Sequence, residues 1–258
     1  MANGILVQPL TWSAITASQA MAAGFPETNL GDEQPRMFAE SATAVLSVDI
    51  DLGTAQAVDL IALLYTNADA TATWEVRAAD TQAELGAGTV FASGSFCAGG
   101  GVSKADRPHG FDFGAALTKR WWRITLTNSA APARAGRLIL GQALQPAWNF
   151  ELSSRFARVG GADGLGTDGG ALVPVKRKTR RRVSIRWGDL TDAEYYDQLA
   201  AIEQAAADGE PILFIRDPDA AAANRHQGIV YGLLKFSQGA DRVRSNQWRA
   251  AAVIEEMT

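Results

Sequence analysis

The first 145 residues alternate between short apolar-rich segments and turn residues, and this pattern predicts a series of β-strands. In Val45–Leu52 every second residue is apolar, so the intervening Asp49 and Asp51 are expected on a solvated face. Leu60–Tyr65 is continuously apolar and predicts a central strand. Spacing and turn residues together favour an all-β sandwich. The remaining predicted strands are Thr73–Arg77, Thr89–Phe96, Trp121–Thr127 and Arg137–Leu144.

One amphipathic helix is predicted in the second half of the chain, over residues 191–208. Thr191 and Glu194 have the spacing of a capping box, in which a hydroxyl and a carboxylate bond to backbone N–H groups at the helix start. Gly209 and Pro211 then supply a left-handed stop and a block to further helix. A buried apolar stripe with helical period is expected between these ends. Its residues are Tyr195, Leu199, Ile202 and Ala206.

The rest of the second half predicts β-structure around this helix. Val183–Trp187 alternates and predicts a strand with one wet face, and Ile212–Ile215 predicts a buried strand. Residues 159–170 include six glycines and predict a loop or hairpin tip. The whole chain is therefore expected to be mainly β, with sandwich modules at residues 1–145 and 146–258. Other predicted segments are strands at Trp148–Leu152, Arg155–Val159, Gln227–Phe236 and Gln247–Glu255, and a turn at Asp241–Ser245.

The charge of the chain is divided unevenly between these halves. The formal net charge is −4. Residues 1–145 carry 9 Lys and Arg against 13 Asp and Glu, whereas residues 146–258 carry 15 against 15. This balance argues against a general nucleic-acid binder, which neutralises many phosphates with a basic surface.

Cysteine usage and hydropathy favour a soluble protein from a reducing compartment. Cys97 is the only cysteine, so neither an intrachain disulfide nor a cysteine-rich zinc site is expected. The N-terminal residues show no pattern of an export signal, and no apolar stretch approaches the roughly 20 residues that a membrane span needs.

No motif in the sequence predicts catalysis or a cofactor. Gly164–Gly169 matches the G-x-G-x-x-G dinucleotide motif. It is followed by the basic run Lys176–Arg182 rather than by a helix, so a hairpin tip is the better interpretation. His109 and His226 lie in no recognisable motif and are expected at the surface or in turns. The chain is therefore predicted not to be an enzyme, although its many carboxylates leave a glycosidase pair open.

No metal site is predicted either. Asp163 and Asp168 lie in the glycine-rich segment, but they lack the spacing of an EF-hand loop.

Five segments of the N-terminal half follow one another in a characteristic order: Asn29–Asp32, Val48–Gly53, Val58–Ile61, Trp74–Arg77 and Arg120–Ile124. In this order they resemble the discoidin or galactose-binding-like family over most of residues 10–144, and the resemblance implies a galactose-binding-like jelly roll. Discoidin-like folds sometimes bind calcium near the strand beside Asp49, Asp51 and Asp59, yet alternation predicts a solvated face for the first two. Sugar binding does not follow from the fold alone, because the loops here are short and rich in alanine and glycine.

Residues 146–258 contain, in order, the basic run Lys176–Arg182, the strand ending at Trp187, the helix and the strand after Pro211. With this order they resemble a minor tail protein of a long-tailed bacteriophage, near the tail tip. The resemblance implies a tail-tube-like sandwich that forms a ring with other copies and contacts neighbouring tail proteins, in a virion made in the bacterial cytoplasm. No nucleic-acid specificity is expected.

The basic run and the glycine-rich loop are the predicted contact between subunits, because the guanidinium fork suits bidentate pairing with carboxylates of a neighbouring protomer. Protection of an exposed strand edge by charge is the alternative explanation. The proposed interface residues are Lys176, Arg177, Lys178, Arg180, Arg181, Arg182, Gly164, Gly166 and Asp168.

Trp121 is the candidate contact residue of the N-terminal module. Trp74, Trp122, Trp187 and Trp248 are in phase with apolar strand faces and are predicted in the core, whereas Trp121 points the other way. An exposed Trp121 would suit an interface or a sugar platform, and packing under a neighbouring loop is the alternative. Two alternatives to the tail subunit therefore remain: a carbohydrate-binding adhesin that recognises a host-surface glycan, and an accessory part of a glycan-active enzyme.

Overall fold

A computed structural model describes residues 3–96, 109–129, 132–151, 154–160, 162–166, 172–176, 179–220 and 228–257. The chain is mainly β, with sandwich-like antiparallel sheets and one helix, which confirms the predicted fold class. Two compact units are present. Unit 1 comprises Met1–Gln145 and Leu213–Ile229, and unit 2 comprises Pro146–Ile212 and Val230–Thr258.

The N-terminal segment explains why Leu213–Ile229 packs with unit 1 rather than with the rest of residues 146–258. Ile5 pairs with Ile215, and Val7 pairs with Leu213, in an antiparallel ladder. All the residues of this short ladder are buried apolar side chains. A strand from late in the sequence is thereby held in unit 1.

The main sheet of unit 1 has the strand order β2-β4-β7-β5-β6, and β9 also pairs with β4. The strands are β1 (Ile5–Val7), β2 (Ala14–Ala17), β3 (Ala39–Glu40), β4 (Val45–Leu64), β5 (Thr73–Ala79), β6 (Thr89–Ser95), β7 (Gly110–Thr127), β8 (Arg134–Ala135), β9 (Arg137–Gly141) and β10 (Ala143–Leu144). Short 3₁₀ helices cover Glu27–Gly31 and Gln82–Ala87.

The core of unit 1 follows the predicted alternation. Trp122 on β7 is fully buried and lies opposite Ile50 on β4. The two strands predicted at Val45–Leu52 and Leu60–Tyr65 are in fact one strand of 20 residues, β4. Its register against β7 shifts between Asp51 and Gln56 and again between Val58 and Leu60. These irregularities interrupt the regular pairing in the more polar middle of the strand.

Unit 2 contains the sheet order β16-β17-β14-β11 and a separate hairpin, β12-β13. Val183, Ile185 and Trp187 are buried on the inner face of β14, as predicted, and Trp248 is buried on β17. The strands are β11 (Arg155–Val159), β12 (Ala162–Gly166), β13 (Leu172–Lys176), β14 (Arg180–Leu190), β16 (Ile229–Arg244) and β17 (Gln247–Glu256). The strand before β16 is β15 (Pro211–Ile215), which contains the residues that pair with β1 in unit 1.

The predicted helix and its capping box are present. Thr191 Oγ1 accepts a hydrogen bond from the Glu194 N–H at 3.2 Å, and Glu194 Oε2 accepts from the Thr191 N–H at 2.7 Å. The helix runs through α1 (Asp192–Glu194), a π-helical stretch (Tyr195–Leu199) and α2 (Ala200–Ala207). Gly209 then adopts a φ of +85°, the left-handed stop expected from the sequence. None of the helices in the described ranges is long and apolar enough to cross a membrane.

Three local predictions for unit 2 were wrong. The described part of Trp148–Leu152 is not a strand, and Trp148 is 69% exposed. The glycine-rich segment is not without regular structure, because Gly164 pairs with Pro174 across the β12-β13 hairpin. The turn predicted at Asp241–Ser245 comes later, at Asn246, where φ is +58°.

His109 was expected at the surface or in a turn; it lies against a turn, and it is buried. Its Nδ1 accepts a hydrogen bond from the Tyr65 N–H at 2.9 Å, and the two rings meet edge to face at 4.7 Å between centroids. Tyr65 follows β4 with a φ of +56°. An imidazole that accepts at Nδ1 carries no proton there, so His109 anchors this turn as a structural residue. His226 and Cys97 lie outside the described residues.

Asp69 joins two loops of unit 1 through four hydrogen bonds to one carboxylate. Oδ2 accepts from the Ser129 N–H at 2.9 Å and from the Ser129 hydroxyl at 2.5 Å. Oδ1 accepts from the Thr71 N–H at 2.8 Å and from the Thr71 hydroxyl at 2.6 Å. The Ser129 and Thr71 donors hold the pKa of Asp69 far below its ordinary value.

We therefore expect acid to weaken unit 1 partly through Asp69. Because its pKa is lower in the folded chain than in the unfolded one, its contribution is complete above about pH 4 and is lost as the pH falls further. Asp69→Asn should cost about 1 kcal/mol near neutral pH, the size typical of a lost turn or cap acceptor. Urea unfolding near neutral pH and at about pH 3 tests this prediction. The difference in the free energy of unfolding between the wild type and Asp69→Asn should be smaller in acid. A difference that is the same at both pH values would contradict a stabilising role of the Asp69 carboxylate.

Candidate functional site

Charged residues form a ladder across the outward face of the sheet in unit 1. Asp49 on β4 lies directly opposite Arg123 on β7, and Arg123 lies opposite Arg77 on β5. Arg123 donates from Nε to Asp49 Oδ1 at 2.6 Å and from Nη2 to Oδ2 at 2.7 Å. Arg77 donates from Nε to Glu75 Oε1 at 2.5 Å. The Asp49–Arg123 pair fixes the register of β4 against β7 through a bidentate, charge-assisted contact, whereas Glu75 and Arg77 pair within β5.

Trp121 lies in the neighbouring row of the same face. It is opposite Asp51 on β4 and Ala79 on β5, and its side chain is partly exposed. Arg120 donates to both oxygens of Asp51, at 2.6 and 2.7 Å, and its guanidinium carbon lies 5.6 Å from the Trp121 ring centroid. The Arg120 hydrogen bonds lower the pKa of Asp51 and, in return, raise the pKa of Arg120.

The solvated face predicted for Asp49 and Asp51 was wrong. The two residues are only 5% and 7% exposed, because Arg123 and Arg120 cover and neutralise them. Asp59, the third carboxylate considered for calcium, accepts from the Ala143 N–H at 2.7 Å, and burial raises its pKa. Among the described residues, no group of three or more His, Cys, Asp or Glu side chains is arranged to hold a metal ion.

The sequence did contain a signal for these ion pairs. Asp49 and Asp51 are two residues apart on one strand, and Arg120 and Arg123 flank the two tryptophans of another. Each segment alone indicates a strand with a polar side. The carboxylates and the arginines meet only because β4 pairs with β7. Arg120 is 69 residues from Asp51 in the sequence, and Arg123 is 74 residues from Asp49.

The structure places the described residues of the predicted subunit contact on three different strands. Gly164 and Gly166 lie on β12, and Lys176 ends the facing strand β13. Arg180 and Arg182 begin β14 and are exposed. The interface role of these residues stays a prediction. Arg177, Lys178 and Asp168 lie outside the described residues.

Arg181 differs from its neighbours because it turns towards Glu256 of the same chain. Glu256 Oε1 accepts from Arg181 Nε at 2.8 Å, Oε2 accepts from the Arg181 N–H at 2.8 Å, and Arg181 Nη2 also reaches Oε1. Glu256 is 8% exposed. This pair closes one end of the β14-β17 ladder, so Arg181 has an internal partner.

Arginines and a lysine gather on the other face of the same sheet. Along β14, Arg180 and Arg182 alternate with buried positions, and Arg182 lies opposite Glu255 on β17. The contact between Arg182 and Glu255 is long, at 3.6 Å, and both side chains are about half exposed. We call this surface the basic sheet face. Its cationic residues are Arg155, Arg180, Arg182, Arg186, Lys235 and Arg249.

No protein-family model and no curated protein matches the chain. About half of the chain is similar to solved structures. One is the chitosan-binding module 1 of a chitosanase/glucanase from Paenibacillus sp. IK-5, at 17% identity and a TM-score of 0.44, covering 52% of this chain and 99% of that one.

Two further structures are similar over the same extent. The family 32 carbohydrate-binding module of AlyQ, in complex with 4,5-unsaturated mannuronic acid, is 20% identical with a TM-score of 0.41, covering 52% of this chain and 97% of that one. A GH29 fucosidase of Ruminococcus gnavus, in complex with fucose, is 13% identical with a TM-score of 0.40, covering 50% and 25%.

Proposed function

We propose that unit 1 is a non-enzymatic saccharide-binding module whose contact surface is centred on Trp121. The observation that carries the proposal is the partly exposed indole of Trp121, placed beside an Arg120 guanidinium that Asp51 fixes. An indole gives a flat apolar surface with low conformational entropy, and a sugar ring presents a C–H face that suits it. The fixed guanidinium supplies directional donors next to this platform.

The arrangement around Trp121 is organised before any ligand arrives. Arg120 and Arg123 are each held by two hydrogen bonds to a carboxylate. Groups that are already fixed lose little freedom on binding, which favours affinity. Because Asp51 and Asp49 neutralise these arginines, the surface suits a neutral, hydroxyl-rich saccharide better than a polyanion.

Trp121→Ala should remove most of the binding in a screen of the full chain against an array of neutral and acidic glycans. We expect a loss of affinity of at least about tenfold, as for truncation of an aromatic anchor. Trp148→Ala is the matched control, since Trp148 is an even more exposed tryptophan that lies in unit 2. Equal losses in both variants, or binding by neither the variants nor the wild type, would refute the proposed site.

A second candidate function is that of a structural subunit in a phage-like tail, located in the virion and joined to other copies and to neighbouring tail proteins. The observation that favours it is the exposed edge of unit 2, where all five residues of β11 are exposed beside the basic sheet face. An open edge with charged side chains can accept a partner while resisting random pairing. This role does not depend on Trp121, so Trp121→Ala should leave assembly unchanged.

A further inference from the structure

Unit 2 has opposite charge on its two sides. The basic sheet face carries six cationic side chains, and the acidic residues on the same face are Glu255 and Asp241. Among the described residues, the only ion pair recorded on this face is the long contact between Arg182 and Glu255. Most of these cations therefore have no carboxylate partner in the described part of the chain.

The other side of the sheet is covered by the helix, and the helix is acidic. Tyr195 stacks on Trp248 at 3.9 Å, and Trp248 lies on the face of β17 opposite that of Arg249. The segment Asp189–Glu210 contains seven Asp and Glu residues and no Lys, Arg or His. Some of these carboxylates are occupied, since Glu194 caps the helix and Asp192 accepts from Trp248 Nε1 at 2.7 Å.

The outward surface of the helix carries two further acidic residues, Asp197 and Asp208, and both are exposed. Asp197, Ala201, Gln204 and Asp208 are all exposed and follow one another at helical spacing, so they form a single stripe. Gln204 Nε2 donates to Asp208 Oδ2 at 3.0 Å, and this bond points the carboxylate along the stripe. Alanine in the middle of the stripe allows close approach of a flat partner.

We propose that unit 2 associates head to tail with a second copy of this chain, the acidic helix stripe of one copy packing on the basic sheet face of the next. The inference rests on the assembly function and names the surfaces that would carry it. Two different, complementary surfaces on one protomer give a heterologous contact, which closes into a ring or grows as a filament. Opposite charge steers such an encounter and fixes its orientation.

The chemistry of the basic sheet face favours a protein partner over a nucleic acid. Between its arginines lie small and medium apolar residues, with Val253 next to Ser184 and Leu233 next to Glu255. An apolar centre with an arginine-rich rim is typical of protein interfaces. Tyr231 has the same phase on β16 as Leu233 and Lys235, but it is buried. No other aromatic side chain belongs to this face in the described strands, so the face offers no exposed platform on which bases could stack.

Multi-angle light scattering of the full chain at low and high salt tests the contact. The wild type should show assemblies at low salt that weaken at high salt. The double variant Arg182→Glu/Arg186→Glu should be monomeric, and so should Asp197→Lys/Asp208→Lys. Mixing the two double variants should restore a complex, because one reversed pair of surfaces is complementary again. Arg244→Glu is the control, an exposed arginine of unit 2 at the hairpin end of β16.

Each outcome is decisive. Complex formation by the mixed variants, with an affinity at least about tenfold above that of either variant alone, supports the contact. Assemblies that persist in both double variants would overturn this contact and leave the assembly function standing. A wild-type chain that is monomeric at all salt concentrations would overturn both. Binding of duplex DNA by the wild type, lost in Arg182→Glu/Arg186→Glu and without self-association, would identify a nucleic acid as the partner instead.

Discussion

Asp49→Ala is expected to destabilise unit 1 by about 2–4 kcal/mol, because it leaves the Arg123 guanidinium without its carboxylate in a mostly buried position. Asp49 is almost fully buried, and Arg123 is only 30% exposed. The effect should be much larger than the energy of the ion pair itself, since most of it is the cost of an unpaired charge that water reaches poorly. Chemical denaturation followed by tryptophan fluorescence measures the change.

Asp80→Ala is the matched control for this prediction. Asp80 also forms an ion pair in unit 1, with Lys119 at 2.7 Å, but its side chain is 65% exposed. We expect a loss below about 1 kcal/mol for an exposed pair. The double variant Asp49→Val/Arg123→Leu should recover much of the lost stability, because an apolar pair of similar shape leaves no charge uncompensated. Equal losses for Asp49→Ala and Asp80→Ala would contradict this explanation.

Glu256→Ala is expected to destabilise unit 2 by about 2–4 kcal/mol for the same physical reason. Glu256 accepts both from the side chain of Arg181 and from its backbone N–H, so the variant removes the carboxylate that serves both donors. Arg181 has only 18% of its side chain exposed. Thermal unfolding monitored by circular dichroism measures the effect.

The neighbouring residue provides the control for this second prediction. Glu255 lies on the same strand but on the other face, and it meets Arg182 only at 3.6 Å with both side chains about half exposed. Glu255→Ala should therefore change the free energy of unfolding by less than about 1 kcal/mol. Equal losses in the free energy of unfolding for Glu255→Ala and Glu256→Ala would contradict burial of the ion pair as the cause of the expected difference.

The elements that depend on local chemistry were predictable from the sequence. Thr191 and Glu194 marked the helix start, and Gly209 marked its end. Period-two alternation placed Trp122 and Trp187 in the core. These signals depend on residues only a few positions apart, so they can be recognised without knowledge of the fold. The π-helical stretch inside the helix had no such local signal.

Features that depend on strand pairing were not predictable in the same way. Asp49 looked solvated because alternation shows which face a residue lies on, and not whether an arginine from a distant strand covers it. Arg181 looked equivalent to Arg180 and Arg182 within the basic run. The register of β14 against β17 places Arg181 near Glu256 at the end of the sheet, and this separates it from the outward cations.

Titration with a saccharide, followed through the indole N–H signals in a two-dimensional NMR spectrum, shows whether the saccharide contacts Trp121. The chain has seven tryptophans, and Trp121→Phe and Trp148→Phe assign the two signals that matter. We expect the best glycan from the array to shift the Trp121 signal with saturation while the Trp148 signal stays in place. Saturable binding that leaves the Trp121 signal unmoved would contradict it.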